Sequence, residues 1–289
     1  MEQQFDDKIE FWISGFDRLK TREAIKSSVH AWNRYLTESN IDEYALIQSM
    51  KQSEDDTRYH EINKFVRSLK IAPASIRQYQ NFVRAYLRNI HGIKTTHEDF
   101  RQIVKLPKIV KVNREPLTKE IIQSLVKESD DIRKAWYLML SSSGMRASES
   151  LYLTEEDLNF ETRPVSVFVS GANTKTQADR ITFISKETVK YLDKAGLDFW
   201  HPRNLLSEEV YFSRLRKRLN IVEKYPNSKN YKVNIHAFRA YFRTIAGEFN
   251  QDFAEHLIGH GYLKQYVRPT MPKLQEQYLK IEKNLQIFG

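Results

Sequence analysis

Between residues 76 and 90 the large apolar side chains fall on one stripe. Ile76, Tyr79, Phe82, Val83, Tyr86, Leu87 and Ile90 recur at three- and four-residue intervals, which is the spacing of one helix face. A strand would scatter that set over both of its faces. The spacing predicts a helix that begins after Ser75 as N-cap and stops at Gly92. Weaker stripes of the same kind run over 8–19, 22–37 and 59–69, and the first hundred residues contain almost no glycine. The first part of the chain is therefore expected to be helical throughout.

The helical pattern lapses twice. From 104 to 116 the chain reads VKLPKIVKVNREP, with two prolines and a surplus of basic residues. This segment is expected to be a linker that itself touches an anionic partner through Lys108 and Lys111. The second lapse pairs two β-branched runs, Val165–Val169 and Ile181–Ile184, across the polar stretch 170–179, the pattern of a small hairpin. With 289 residues available, two domains are expected, over 1–105 and 117–289 with 106–116 between them. The expected fold class is mainly α with a small β-hairpin. No internal repeat or low-complexity tract is visible.

Composition narrows the chemistry. There is no cysteine, which excludes disulfides, thiolate metal sites and cysteine nucleophiles. Lys and Arg number 46 against 37 Asp and Glu, a formal charge of +9 that suits an anionic polymer such as nucleic acid. On the predicted helix after Ser75, Arg77, Arg84 and Arg88 lie off the apolar stripe and are candidate phosphate contacts, although most such faces are simply solvated. The N-terminus lacks an apolar signal core and no run of 18 apolar residues occurs, so a soluble, cytoplasmic protein with no membrane partner is expected.

Four segments of the second half carry candidate chemistry. In Ser143-Gly144-Met145-Arg146-Ala147-Ser148-Glu149 an apolar helix runs into a glycine turn and restarts. Arg146 then stands near a new helix start, with Glu149 placed to hold its guanidinium or to cap the helix. Lys175 lies in the hairpin loop, where a lone lysine is usually a solvated charge. In Ile235-His236-Ala237-Phe238-Arg239 the spacing puts His236 and Arg239 on one helix face, while Phe238 and Phe242 anchor another. In Ile258-Gly259-His260-Gly261 a histidine follows an apolar turn; taken alone it is as well explained as a cap.

The order of these elements matters more than any single one. Arg146, Lys175, His236-x-x-Arg239, Gly259-His260 and a following tyrosine resemble the ordered signature of the tyrosine recombinases, the phage-type integrases. Thr174-Lys175-Thr176 followed by Arg180-Ile181-Thr182-Phe183-Ile184 is similar to that family's catalytic hairpin. The resemblance implies a helical, SAM-like core-binding domain followed by a catalytic domain. It implies cleavage and rejoining of DNA through a covalent 3′-phosphotyrosine, with no cofactor, no metal and no ATP. Partners would be double-stranded attachment sites on the DNA of a prokaryotic host or its mobile elements, with the protein a monomer in solution and a tetramer on DNA. Arg146 and Arg239 would clamp the phosphate oxygens. His236 and His260 would hydrogen-bond the phosphate or carry the nucleophile's proton, and Lys175 would protonate the leaving 5′ oxygen.

The nucleophile region departs from the usual pattern. The chain compresses it to His260-Gly261-Tyr262-Leu263-Lys264-Gln265-Tyr266, with Tyr278 further on, an arrangement similar to integrases of archaea and their elements. Tyr262 would crowd His260. Tyr266 is the expected nucleophile, because six residues span ~9 Å as helix and at most ~20 Å extended. Tyr278, the second candidate, shares a stripe with Leu274, Ile281 and Leu285 and has a core position as its plainer explanation. The tail, about 273–289, is expected either to dock on a neighbouring protomer or to pack on its own domain. The same residues also fit a type IB topoisomerase or telomere-resolving enzyme, or a DNA-binding relative without catalysis.

Overall fold

A computed structural model of the chain describes residues 6–52, 56–109, 117–174, 177–225, 230–259 and 269–289. Contacts divide the chain into two units, Met1–Lys111 and Val112–Gly289, each with its own buried apolar cluster.

The first unit holds α1 (Asp7–Ser14), α2 (Leu19–Glu38), α3 (Glu43–Gln52), α4 (Thr57–Ser68), α5 (Pro73–His91) and α6 (His97–Ile103). Its core forms where α5 lays Ile76, Val83, Tyr86 and Leu87 toward α2, which returns Ile25, Val29, Trp32 and Leu36. Trp32, Tyr35 and Phe65 meet as an aromatic cluster beside them. Gly92 ends α5 at φ +76°, with its N–H returned to the carbonyls of Arg88 and Leu87, a conformation that favours glycine.

The start of α5 differs from the expectation. Ser75 is not the N-cap: Ala72 is, and Pro73 opens the helix. Proline suits the first turn because its φ is already helical and its missing N–H would have no partner there. The apolar stripe begins only at Ile76, so periodicity could not see that turn. The expected segment 8–19 is likewise cut at Gly15, and α2 starts afresh at Leu19. Helices α3 and α6 carry too short a stripe to have been anticipated.

The second unit runs α7 (Lys119–Lys127), α8 (Asp131–Ser143), α9 (Ala147–Ser150), β1 (Leu158–Asn159), β2 (Val165–Val169), β3 (Arg180–Ile184), α10 (Lys186–Ala195), α11 (Leu205–Arg218), α12 (His236–Phe249), α13 (Gln251–Ile258) and α14 (Met271–Leu285). The strands form one antiparallel sheet in the order β1-β2-β3. Val165, Val167 and Val169 pair with Ile184, Thr182 and Arg180, and all six are buried, so this set defines the inward face. At the centre stands α8, buried continuously from Ala135 to Ser143 and packed by α7, α10, α12, α14 and β3. A helix enclosed on all sides has no use for a charged face, and the charges of α8, Asp131, Arg133 and Lys134, are confined to its first turn, ahead of the buried stretch. Among the described residues no helix is long and apolar enough to cross a membrane.

The tail packs on its own unit. Leu274, Tyr278, Ile281 and Leu285 of α14 are buried, as their stripe predicts. Beyond the helix, the Glu187 carboxylate on α10 accepts the backbone N–H groups of Ile287 at 2.6 Å and Phe288 at 2.8 Å. Gln123 donates to the Ile287 carbonyl at 2.7 Å. Glu282 accepts from the Lys186 N–H and pairs with Arg163. Glu187→Ala removes the acceptor for two tail N–H groups, one of them buried. We expect it to cost about 2–4 kcal/mol, read as a lower midpoint in urea unfolding.

Candidate active site

The site is built around the end of α8. Gly144 terminates that helix at φ +66°, and a Cβ there would lie 2.3 Å from Cδ1 of Phe242 and 2.9 Å from Cγ2 of Ile258. Only glycine allows α8 to end this close to α12 and α13. The chain then buries Met145 and presents Arg146 as the N-cap of α9. Glu149 does both of the things its position allowed. One carboxylate oxygen accepts the Arg146 backbone N–H at 2.9 Å, and the other takes its guanidinium at 2.5 Å.

Arg239 comes from the first turn of α12, and its burial follows from the flanking Phe238 and Phe242, both wholly enclosed. Its guanidinium donates to the Gly144 carbonyl at 2.7 Å and to the Ile258 carbonyl at 2.6 Å. It thereby ties the turn before Arg146 to the end of α13. Burial, then the like charge of Arg146, pull its pKa down to about 9, so the group stays cationic at neutral pH. The structure therefore gathers two positive side chains, Arg146 and Arg239, around one carboxylate, and Arg146 keeps a fifth of its side chain exposed.

A third arginine, Arg180, joins them. It opens β3 and pairs with Glu149 at 2.5 Å while donating to the Leu257 carbonyl at 3.1 Å. In the sequence Arg180 belongs to the hairpin motif, with no role of its own. The available signal was alternation: it shares an inward face with Thr182 and Ile184, and an inward cation needs a carboxylate.

His236 opens α12 and is exposed, one turn from Arg239. It borders a recess of about 410 Å³ with Arg216 and Tyr231, in which Arg216 stacks 3.3 Å over the Tyr231 ring. Lys175, His260 and Tyr266 lie outside the described residues, although Gly259, just before His260, ends α13 at φ +70°. Tyr278 is not placed for attack: it is fully buried, packed on Phe183, with its hydroxyl donating to the Ser142 carbonyl at 2.8 Å.

In the first unit Arg77 and Arg88 are exposed on α5, and Arg77 reaches the Pro107 carbonyl at 3.4 Å. Arg84 is more engaged than its position suggested, lying 4.0 Å over the Phe100 ring and bonded to Thr95 at 3.0 Å. Arg58, Arg84, Arg88 and Lys94 line one recess of about 780 Å³, of which Arg58 and Lys94 went unnoticed in the sequence because they sit on other elements. Lys108 is exposed, and Lys111 lies outside the described residues.

Residues 115–271, more than half of the chain, match the model of the phage integrase family. The tyrosine recombinase XerA of Pyrococcus horikoshii is 26% identical over 241 residues, covering 78% of this chain and 81% of that protein. A lambda integrase dimer bound to a COC′ core site is similar in structure, with a TM-score of 0.63 at 17% identity, covering 91% of this chain and 95% of that one. The XerH site-specific recombinase bound to its difH substrate gives 0.60 at 13% identity, covering 95% and 84%. At such identities the structural likeness is one of fold.

Proposed function

The chain belongs to the phage integrase family, and we infer from that premise that it is a site-specific DNA recombinase. It cleaves and rejoins double-stranded DNA through a covalent 3′-phosphotyrosine. The observation that carries this reading is the arginine pair: Arg146 held by Glu149, and Arg239 braced between the Gly144 and Ile258 carbonyls. A guanidinium carries five N–H groups, so the two spent on carbonyls leave Arg239 further donors for a phosphate. Fixed cations that need not reorganise stabilise the charge that builds on the non-bridging oxygens as a nucleophile attacks.

The remaining roles follow the chemistry of transfer. Tyr266 attacks the phosphorus, and the 5′ oxygen leaves with a proton from Lys175. His236 and His260 hydrogen-bond the phosphate or take the tyrosine proton. Because the phosphodiester energy is retained in the tyrosine ester, resealing requires no nucleotide hydrolysis. The first unit is the second DNA contact, with Arg58, Arg84, Arg88 and Lys94 around their recess, Arg77 beside it, and Lys108 and Lys111 in the linker as backbone-neutralising charges. Paired attachment sites and a tetramer on DNA complete the reading.

Covalent trapping on nicked DNA, with a chelator present, tests it. We expect a protein–DNA adduct on a denaturing gel that resists the chelator and maps by peptide analysis to the segment containing Tyr266. No adduct on any DNA, the element's own ends included, would reduce the protein to a DNA-binding relative. Supercoil relaxation by monomers without paired sites would instead indicate a topoisomerase.

A further inference from the structure

Arg180 stands at the base of the hairpin, on the sheet face occupied by Val167, Val169 and Thr182. Its side chain is 6% exposed. A cation buried there is unfavourable unless fully paired, and an aliphatic residue would suit that face without the penalty. Yet three segments of the site converge on it. Its Nη2 pairs with Glu149, and its Nε donates to the Leu257 carbonyl at the end of α13. A Cβ on Gly259 would lie 2.9 Å from its Cδ, and its own backbone begins β3, just downstream of Lys175 in the sequence. Glu149 is the shared joint, with one oxygen on Arg180 and the other on Arg146.

We propose that Arg180 is a positioning residue for strand cleavage, which by pairing with Glu149 fixes the Arg146 guanidinium in register with the end of α13 and the base of the hairpin. This role rests on the recombinase reading above. It acts through Arg146 and touches no substrate itself.

The electrostatics make the role measurable. Burial pushes the Glu149 carboxyl up, but the hydrogen bond and charge of Arg180, and then the bonds from Arg146, hold it below the ordinary carboxylate range. The charged groups that act on it are Arg180 on β3 and Arg146 on its own turn, with Arg239 on α12 interacting with all three and with Glu255 on α13. With its pKa depressed, Glu149 keeps Arg146 anchored at neutral and mildly acidic pH, and the anchor fails only as pH falls through that lowered value. Without Arg180, burial is opposed only by Arg146 and the more distant charge of Arg239. The carboxyl then protonates at higher pH, and the acid limb of the cleavage profile moves up toward neutrality.

Single-turnover cleavage of nicked DNA by wild type, Arg180→Gln and Arg180→Lys, measured from mildly acidic to neutral pH, tests the proposal. DNA affinity and thermal melting are recorded on the same samples. We expect Arg180→Gln to lose ~10²-fold in rate, the scale of a misplaced catalytic group, with affinity changed much less and with the acid limb displaced upward. Arg180→Lys, which keeps a charge for Glu149, recovers part of the rate and returns the acid limb toward wild type. A wild-type rate and acid limb in Arg180→Gln overturns the proposal while leaving the recombinase intact. So does a rate loss that tracks melting in both variants with the acid limb unmoved, since that is a scaffold's behaviour. Absence of cleavage by wild type overturns the recombinase reading, and this role with it.

Discussion

Tyr266→Phe is expected to abolish the protein–DNA adduct, by ~10⁴-fold or more, while Tyr278→Phe keeps it. Removing a nucleophile eliminates the covalent route outright, and such losses are among the largest a single substitution produces. Tyr266 is six residues beyond His260, a separation of ~9 to ~20 Å depending on conformation, which suits a hydroxyl approaching a phosphate held from the other side. Tyr278 has the opposite surroundings. Its ring is fully enclosed against Phe183, its hydroxyl is bonded to the Ser142 carbonyl, and burial raises its pKa well above the ordinary phenol value. Attack by Tyr278 would require α14 to leave the core. The Phe variant at 278 should instead lose one buried hydrogen bond, about 1–2 kcal/mol of stability. Adduct yield on a denaturing gel, beside a urea melt of each variant, separates the two effects. An adduct that survives in Tyr266→Phe and disappears in Tyr278→Phe would overturn the assignment.

Arg239→Ala should slow single-turnover cleavage by ~10²–10³-fold, the usual consequence of losing one preorganised donor to a developing anion. It should also destabilise the second unit, because the Gly144 and Ile258 carbonyls lose their donor at about 1–3 kcal/mol for each group left buried and unpaired. Arg239→Lys separates charge from geometry. An ammonium is a point donor on a flexible stem and cannot brace two carbonyls while presenting a planar fork to phosphate. We therefore expect it to stay at least tenfold below wild type despite its charge. Rates are compared at a urea concentration and temperature where unfolding curves show each variant folded. Arg239→Ala cleaving like wild type once folded would reduce the residue to a structural brace.

These expectations rest unequally on sequence and fold. The helical class was legible because stripes such as that of α5 recur over several turns, and periodicity needs length to register. The hairpin was legible from β-branched runs on either side of a polar stretch. Short elements were not: α3 and α6 offer only about two to three turns, and the first turn of α5 has no apolar residue on its stripe, so Pro73 rather than Ser75 sets its start. Arg146, His236 and Arg239 stood out through their order along the chain. Arg180 did not, since nothing local to β3 reveals that an inward arginine meets Glu149 some thirty residues earlier.

By itself the sequence determined the helical architecture, the position of the hairpin and the order of the candidate site residues along the chain, because each is written in local spacing that a reader of the chain can count. Only the tertiary structure decided that Glu149 serves two arginines, that Arg239 braces Gly144 against Ile258, and that Tyr278 and the tail belong to the core of their own unit. Those contacts join residues tens of positions apart, and such pairings follow from which faces the folded elements bury against one another rather than from any pattern within one element.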